Sequence, residues 1–188
     1  MKIKTLLATS LLAGTALFAG NYTVDPAHSS ADFSVKHAMI STVKGNFTKF
    51  NGVFEYDEAT KTLKSLTGTI DAASINTGIE KRDTHLRSAE LFDVAKYPTI
   101  TFTLDSIKDD KAYGKLTMKG VTKPVVLNFE NGGMATDPYG NKRVGMELTG
   151  KIKRSDFGIT WNAALETGGV VVGEEVKLDV ALEGILQK

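Results

Sequence analysis

At 188 residues, with 41% hydrophobic and 24% charged residues, the chain suits one folded domain rather than a disordered segment or a string of modules. A formal net charge of +1, carried by mixed lysines and acids, provides neither the footprint of a nucleic-acid binder nor a polybasic run for membranes. The absence of cysteine excludes disulfides, thiol catalysis and thiolate metal sites, so stability has to come from the core and from sheet closure.

The first element is a targeting signal. Lys2 and Lys4 precede an apolar run from Leu6 to Phe18, and Ala19-Gly20 offers small side chains for cleavage. That run is too short and too rich in Thr, Ser and Gly for a membrane span. Residues 1–19 are therefore predicted to be a signal peptide and 20–188 a mature domain, diffusing freely in the periplasm or outside the cell. Loss of the two lysines leaves the mature chain close to neutral.

Strand patterns follow. Ala31, Phe33, Val35 and His37 share one face of a strand beginning at Ser30, and a second strand is predicted from Val43 to Tyr56, bent at Gly45 and Gly52. Leu66-Gly68-Ile70-Ala72 alternates with polar residues in a third. After a break come Ile100-Phe102-Leu104 and Leu116-Met118, then a predicted turn over Gly120–Pro124. Val125-Leu127-Phe129 ends in Asn131-Gly132-Gly133. Asp137-Pro138-Tyr139-Gly140-Asn141 is a strong turn cluster, and Val144-Met146-Leu148-Gly150-Ile152 and Val176-Leu178-Val180-Leu182 complete the set.

The break is helical. Between Asp83 and Phe92 the period changes, with Leu86, Ala89, Leu91 and Phe92 on one side of a helical turn and Asp83 at its positive end. Pro98 stops the helix. The fold expected is all-β: an eight-stranded antiparallel, lipocalin-like barrel with one short α-helix in mid-chain, lying as a plug or lid across one end. Eight is the strand number at which a closed barrel just holds one small ligand, and closure removes the edges. An immunoglobulin-like sandwich would use similar strands; the lone helix favours the barrel.

Asp25-x-x-His28-Ser29, Phe33-x-x-x-His37, Gly45-x-Phe47 and Arg82-Asp83-x-His85-Leu86-Arg87-Ser88 resemble the YceI-like family. So do Phe92-Asp93, Tyr97-Pro98-Thr99-Ile100-Thr101-Phe102, Gly120-Val121-Thr122-Lys123-Pro124 and Arg154-x-x-Phe157-Gly158. The likeness runs through the whole mature chain. It implies a periplasmic, lipocalin-like barrel that binds a polyisoprenoid or similar long-chain lipid, and it implies a homodimer.

Alternation places Phe33, Val35, Phe47, Ile70, Phe102, Leu104, Leu116, Met118, Leu127, Phe129, Met146, Leu148, Leu178 and Val180 on the inward face, as a lipid-binding lumen or a packed core. His37, Arg82, His85 and Arg87 are candidates to meet a lipid head group at the rim. Asp83 and Arg87, at i,i+4, can also pair with each other. Arg154 with Asp156 and Phe157-Gly158-Ile159 is expected to lock a corner of the barrel, and Trp161 to cover the end. Neither a cofactor nor a metal is expected: His28, His37 and His85 lack any H-x-x-x-H or H-E-x-x-H spacing. Catalysis is not expected either, since Ser29 beside His28 has no G-x-S-x-G elbow. A filled barrel without ligand, serving interaction alone, is the rival to lipid carriage.

Overall fold

The computed structural model describes residues 19–166 and 168–188. The predicted signal peptide, up to residue 18, lies outside the described residues. The strands are β1 (Gly20–Val24), β2 (Ser30–His37), β3 (Ser41–Phe47), β4 (Phe50–Asp57), β5 (Thr62–Asp71), β6 (Ile75–Asn76), β7 (Thr99–Lys108), β8 (Lys111–Met118), β9 (Val121–Thr136), β10 (Lys142–Lys153) and β11 (Val172–Leu186). The helix α1 (Glu80–Arg87) lies between β6 and β7.

These strands fill eight positions of one closed antiparallel barrel, because three positions are each shared by two short strands. β1 and β2 both pair with β11, through Tyr22↔Leu186 and Phe33↔Leu178. Opposite them, β4 and β3 pair through Thr23↔Val53 and Asp32↔Asn46. β5 and β6 continue the next position, through Phe50↔Ile70 and Phe47↔Ile75. From there each strand pairs with the next in the chain, and β11 closes the ring on β1 and β2.

Each break has a local cause. Pro26 starts a 3-10 turn whose first N–H groups are met by Asp25, which accepts from Ala27 N at 3.1 Å. Asp71 does the same for Ala73 at 2.9 Å, ahead of β6. The strand predicted from Val43 to Tyr56 is interrupted at Thr48-Lys49, where Thr48 N bonds to Ser74 O and Lys49 N to Ser74 Oγ instead of continuing the ladder. The turn predicted over Gly120–Pro124 is shorter, a two-residue hairpin at Lys119-Gly120 with φ of 50° and 74°. β9 then runs through Asn131-Gly132-Gly133, where it was expected to end. A register shift opposite Gly145 and Met146 absorbs the extra residue as a bulge.

One end of the barrel is packed solid. Tyr22 stacks on Phe54 with ring centroids 5.1 Å apart and meets Tyr56 edge-on at 6.3 Å. Leu63, Leu104, Val144 and Met146 fill the space around them. The polar tips are satisfied: Tyr22 donates to Glu58 Oε1 at 3.0 Å, and Asn131 donates to Tyr56 Oη and Lys61 O, both at 3.0 Å. Burial, reinforced by the Glu58 carboxylate, pushes the Tyr22 hydroxyl up to about 12.

An ion cluster fastens the outside of this end. Arg143 donates to Asp25 at 2.9 Å, Asp137 at 2.8 Å and Glu183 at 2.7 Å. The His28 hydrogen bond, then Arg143, holds Asp25 down to about 2 from an ordinary 3.8. Asn141 and Arg143 lower Asp137 further. A depressed carboxylate contributes fully above its unfolded pKa, and that contribution is lost as pH falls through the folded value. The urea midpoint is therefore expected to drop as pH falls from about 4 to about 2. Arg143→Met is expected to flatten that part of the titration; an unchanged slope in the variant would show that the cluster is not responsible.

Candidate functional site

The other half of the barrel has its own buried cluster, around Ile100, Met118, Phe157 and Ile159, but leaves an internal space. Beyond the aromatic floor an inner cavity of about 140 Å³ adjoins an outer one of about 270 Å³ toward α1. Ile70, Phe102, Leu116, Leu127, Leu148 and Val180 line the inner part. Val35 lines the outer part. Phe33, Phe47, Met118 and Leu178 line both and form the waist between them. The waist depends on Gly45: a Cβ there would lie 2.5 Å from the Phe33 ring, so only a residue without a side chain lets that ring lie across β3. Phe33 and Phe47 stand 5.6 Å apart, and Phe92 meets Phe47 edge-on at 6.0 Å.

Three predicted lumen residues are elsewhere. Leu104 and Met146 are buried in the packed end, and Phe129 packs against it. Alternation assigned them the correct face, but period two carries no information on height along the barrel, and Tyr22, Phe54 and Tyr56 already occupy theirs.

The outer cavity opens beside α1, which starts at Glu80, a turn earlier than expected, and ends at Arg87. Leu91 and Phe92 lie in the turns after the helix and still line the cavity. Asp83 is buried in the first turn of α1, at the positive end where it was placed. Its carboxylate accepts from Thr77 N at 3.0 and 3.1 Å, and the Thr77 hydroxyl donates to it as well. Arg82 completes that knot, donating from Nε to Thr77 Oγ1 and from Nη2 to Thr77 O, each at 2.7 Å, while lining the outer cavity.

His85 also faces the cavity, with Nε2 2.7 Å from Glu90 and its ring edge-on to Trp161 at 4.8 Å. His37 reaches the same mouth from the end of β2 and is exposed. Arg87 corrects two expectations. It does not pair with Asp83 and does not line the cavity; it donates to Ala73 O, Ile75 O and Glu80 Oε1 and ties α1 to the β5–β6 corner.

The far wall of the mouth hangs on Arg154. This residue is only 6% exposed, and it donates to Ile159 O and Trp161 O at 2.8 Å and to Gly173 O at 3.0 Å. The expected corner lock is thus a cation holding backbone carbonyls; Asp156 is exposed and takes no part in those bonds. The side chains lining the outer cavity include Lys36, His37, Arg82, His85 and Arg154, and no carboxylate is among them. An apolar tail inside and an acceptor-rich head at the mouth is the ligand shape such a wall accommodates.

A family model for the YceI-like domain matches residues 22–184. The chain belongs to the YceI-like family. Among curated relatives, the UPF0312 protein SAS2572 of Staphylococcus aureus is 41% identical over 164 residues, spanning 87% of this chain and 96% of the relative. A YCEI protein of Campylobacter jejuni superposes with a TM-score of 0.70 at 37% identity, covering 81% of this chain and 90% of that one. BcnA of Burkholderia cenocepacia gives 0.69 at 27% identity, covering 85% and 98%. A polyisoprenoid binding domain from Saccharophagus degradans, at 19% identity, shares the fold with a TM-score of 0.68 over 90% of this chain and 99% of that one.

In this YceI-like barrel Ser29 and the Asp25–His28–Glu183 group have structural partners. Ser29 donates from Oγ to Glu183 O at 3.3 Å and accepts from Glu183 N at 2.9 Å, so its hydroxyl is engaged by backbone. Asp25, His28 and Glu183 stand close enough to share a cation, yet Arg143 already bonds both acids. Phe50, Leu66, Ile152, Ile159, Val176 and Leu182 also line the cavity wall, beyond the predicted lumen residues. Ile152, Val176 and Leu182 lay on alternating stripes already identified, so the signal was present. Ile159 lies in an irregular segment that carries no period.

Proposed function

We propose that the protein binds one long-chain amphiphilic lipid in the barrel, of polyisoprenoid or isoprenoid-quinone type with a fatty acyl chain also admitted, and carries or stores it in the periplasm. The observation that supports this reading is the two-part apolar cavity, closed at one end by an aromatic floor and ringed at the other by cationic and imidazole side chains. The description of the Saccharophagus degradans domain as polyisoprenoid binding agrees with it. Burying about ten methylenes contributes roughly 8 kcal/mol, equivalent to micromolar affinity before ordering losses. Binding of that strength holds a tail that water rejects, yet releases it to a membrane. No described helix is long and apolar enough to cross a membrane.

Native mass spectrometry of the purified protein tests the proposal, with organic extraction to identify what is released. The expected result is one lipid of fixed mass per polypeptide. A bare polypeptide mass, persisting after incubation with a long-chain polyprenol, would instead support a ligand-free interaction module. Light scattering on the same sample tests the homodimer that the family resemblance implies.

A further inference from the structure

The mouth carries apolar side chains in water that the cavity itself does not use. Met39 is 61% exposed and Ile40 88%, at the tip of the β2–β3 hairpin. Val170 is 38% exposed beside them, and Ile79, 53% exposed, precedes α1 on the other side of the opening. Tip and neighbour form one surface, since Ala38 N donates to Val171 O at 2.8 Å. His37 and Val171, which flank these residues in sequence, line the outer cavity, as do Arg82 and His85 beyond Ile79. The apolar rim is therefore continuous with the cavity.

The tip is also conformationally costly. Ala38 and Met39, the central residues of the His37–Ile40 turn, adopt φ of 48° and 62°, where Asn-Gly is favoured. The turns at the packed end have the opposite character, with Asp57-Glu58, Asp109-Asp110 and Asp137 at or beside their tips; Tyr139 and Tyr113 are exposed aromatics there. Exposed Lys36 lines the outer cavity and exposed Lys81 lies on α1, while Lys119 donates from Nζ to Ala89 O and Gly158 O. Of the acids on that side, Glu80 is engaged by Arg87, Glu90 by His85 and Glu174 by Ser155 N, while Asp156 and Glu166 are exposed.

We infer that this rim docks reversibly on the surface of an anionic lipid bilayer, with Met39, Ile40, Ile79 and Val170 entering the interface and Lys36 and Lys81 facing the head groups. The purpose assigned to it, passage of a tail between membrane and barrel without exposure to water, rests on the lipid-binding reading. A mouth docked on the bilayer removes the barrier of wetting each methylene in turn. Docking itself needs no cargo.

The test uses the mature domain, residues 20–188, within which the barrel closes, and sedimentation with vesicles of phosphatidylethanolamine and phosphatidylglycerol. Wild type is expected to co-sediment. The double variant Met39→Asn/Ile40→Asn is expected to bind vesicles about tenfold more weakly and to take up a polyprenol from them correspondingly more slowly, with unchanged affinity for polyprenol supplied in detergent. Tyr139→Asn, at the packed end, is expected to behave as wild type. Equal vesicle binding by wild type and the double variant overturns the inference. So does a wild-type dimer, seen by light scattering, that ignores vesicles and that the double variant splits. Vesicle docking that persists without polyprenol uptake would sink the lipid-binding reading and leave this one standing.

Discussion

Phe102→Asp is expected to strip the protein of lipid, raising Kd at least about a hundredfold. The Phe102 ring forms part of the inner cavity wall, over Gly114, where an added Cβ would approach it to 2.6 Å. A carboxylate there either remains charged beside the tail or draws water into the space the tail requires. Either outcome removes roughly 3 kcal/mol or more from a gross burial near 8 kcal/mol, leaving binding too weak to survive purification. Because Phe102 also packs against both halves of the core, a plugging variant separates binding from folding. Leu178→Trp fills the waist from a position shared by both cavities, without introducing charge. A folded Leu178→Trp protein that still carries a full complement of lipid would place the binding site elsewhere. Met146→Ala, in the packed end, is expected to lose about 2–4 kcal/mol of stability in urea while retaining the lipid.

The contrast between Phe102 and Met146 marks what the residue pattern could reveal. Both alternate inward, and both belong to stripes of identical appearance. Strand number, closure and the mid-chain helix were legible because period two and a single interruption are local signals. Height along the barrel was not, since it depends on which distant side chains meet. Tyr22 and Tyr56 fill one end only because β1 pairs with β4 and β11, a contact between the first and last strands of the domain. The roles of Asp83 and Arg87 were missed for a related reason. Helical spacing suggested a pair, but each found a stronger partner off the helix, Thr77 for the acid and two carbonyls of the β5–β6 corner for the base. Charged side chains beside unsatisfied backbone leave the helix surface when a fixed acceptor or donor lies within reach.

The irregular segment after β10 is the part of the fold with the weakest periodic signal, and the remaining large prediction concerns what holds it. From Arg154 the chain passes through a 3-10 turn ended by Gly158 at φ 71°, runs past Trp161, and returns to β11 at Val172. Phe157 and Ile159 bury their side chains in the core at its start, and Trp161 packs against them. The Arg154 guanidinium ties the two legs together, bonding carbonyls of Ile159 and Trp161 on the outward leg and Gly173 on the return, with the nearest carboxylate, Glu174, 4.0 Å away. Arg154→Met preserves much of the side-chain volume but leaves those carbonyls, that of Ile159 fully buried, without their donor. The expected loss is about 3 kcal/mol of unfolding free energy. Arg154→Lys is expected to recover less than half of it, because an ammonium cannot match the planar fork that reaches both legs at once. Trp161 is the single tryptophan of the chain, so its emission reports on the segment directly. In both variants it is expected to shift toward the red at urea concentrations below the global midpoint, as the cavity wall detaches before the barrel opens. If Arg154→Met unfolds with the wild-type midpoint and an unshifted emission, the segment is held by its side-chain packing and the guanidinium is free to serve the ligand alone.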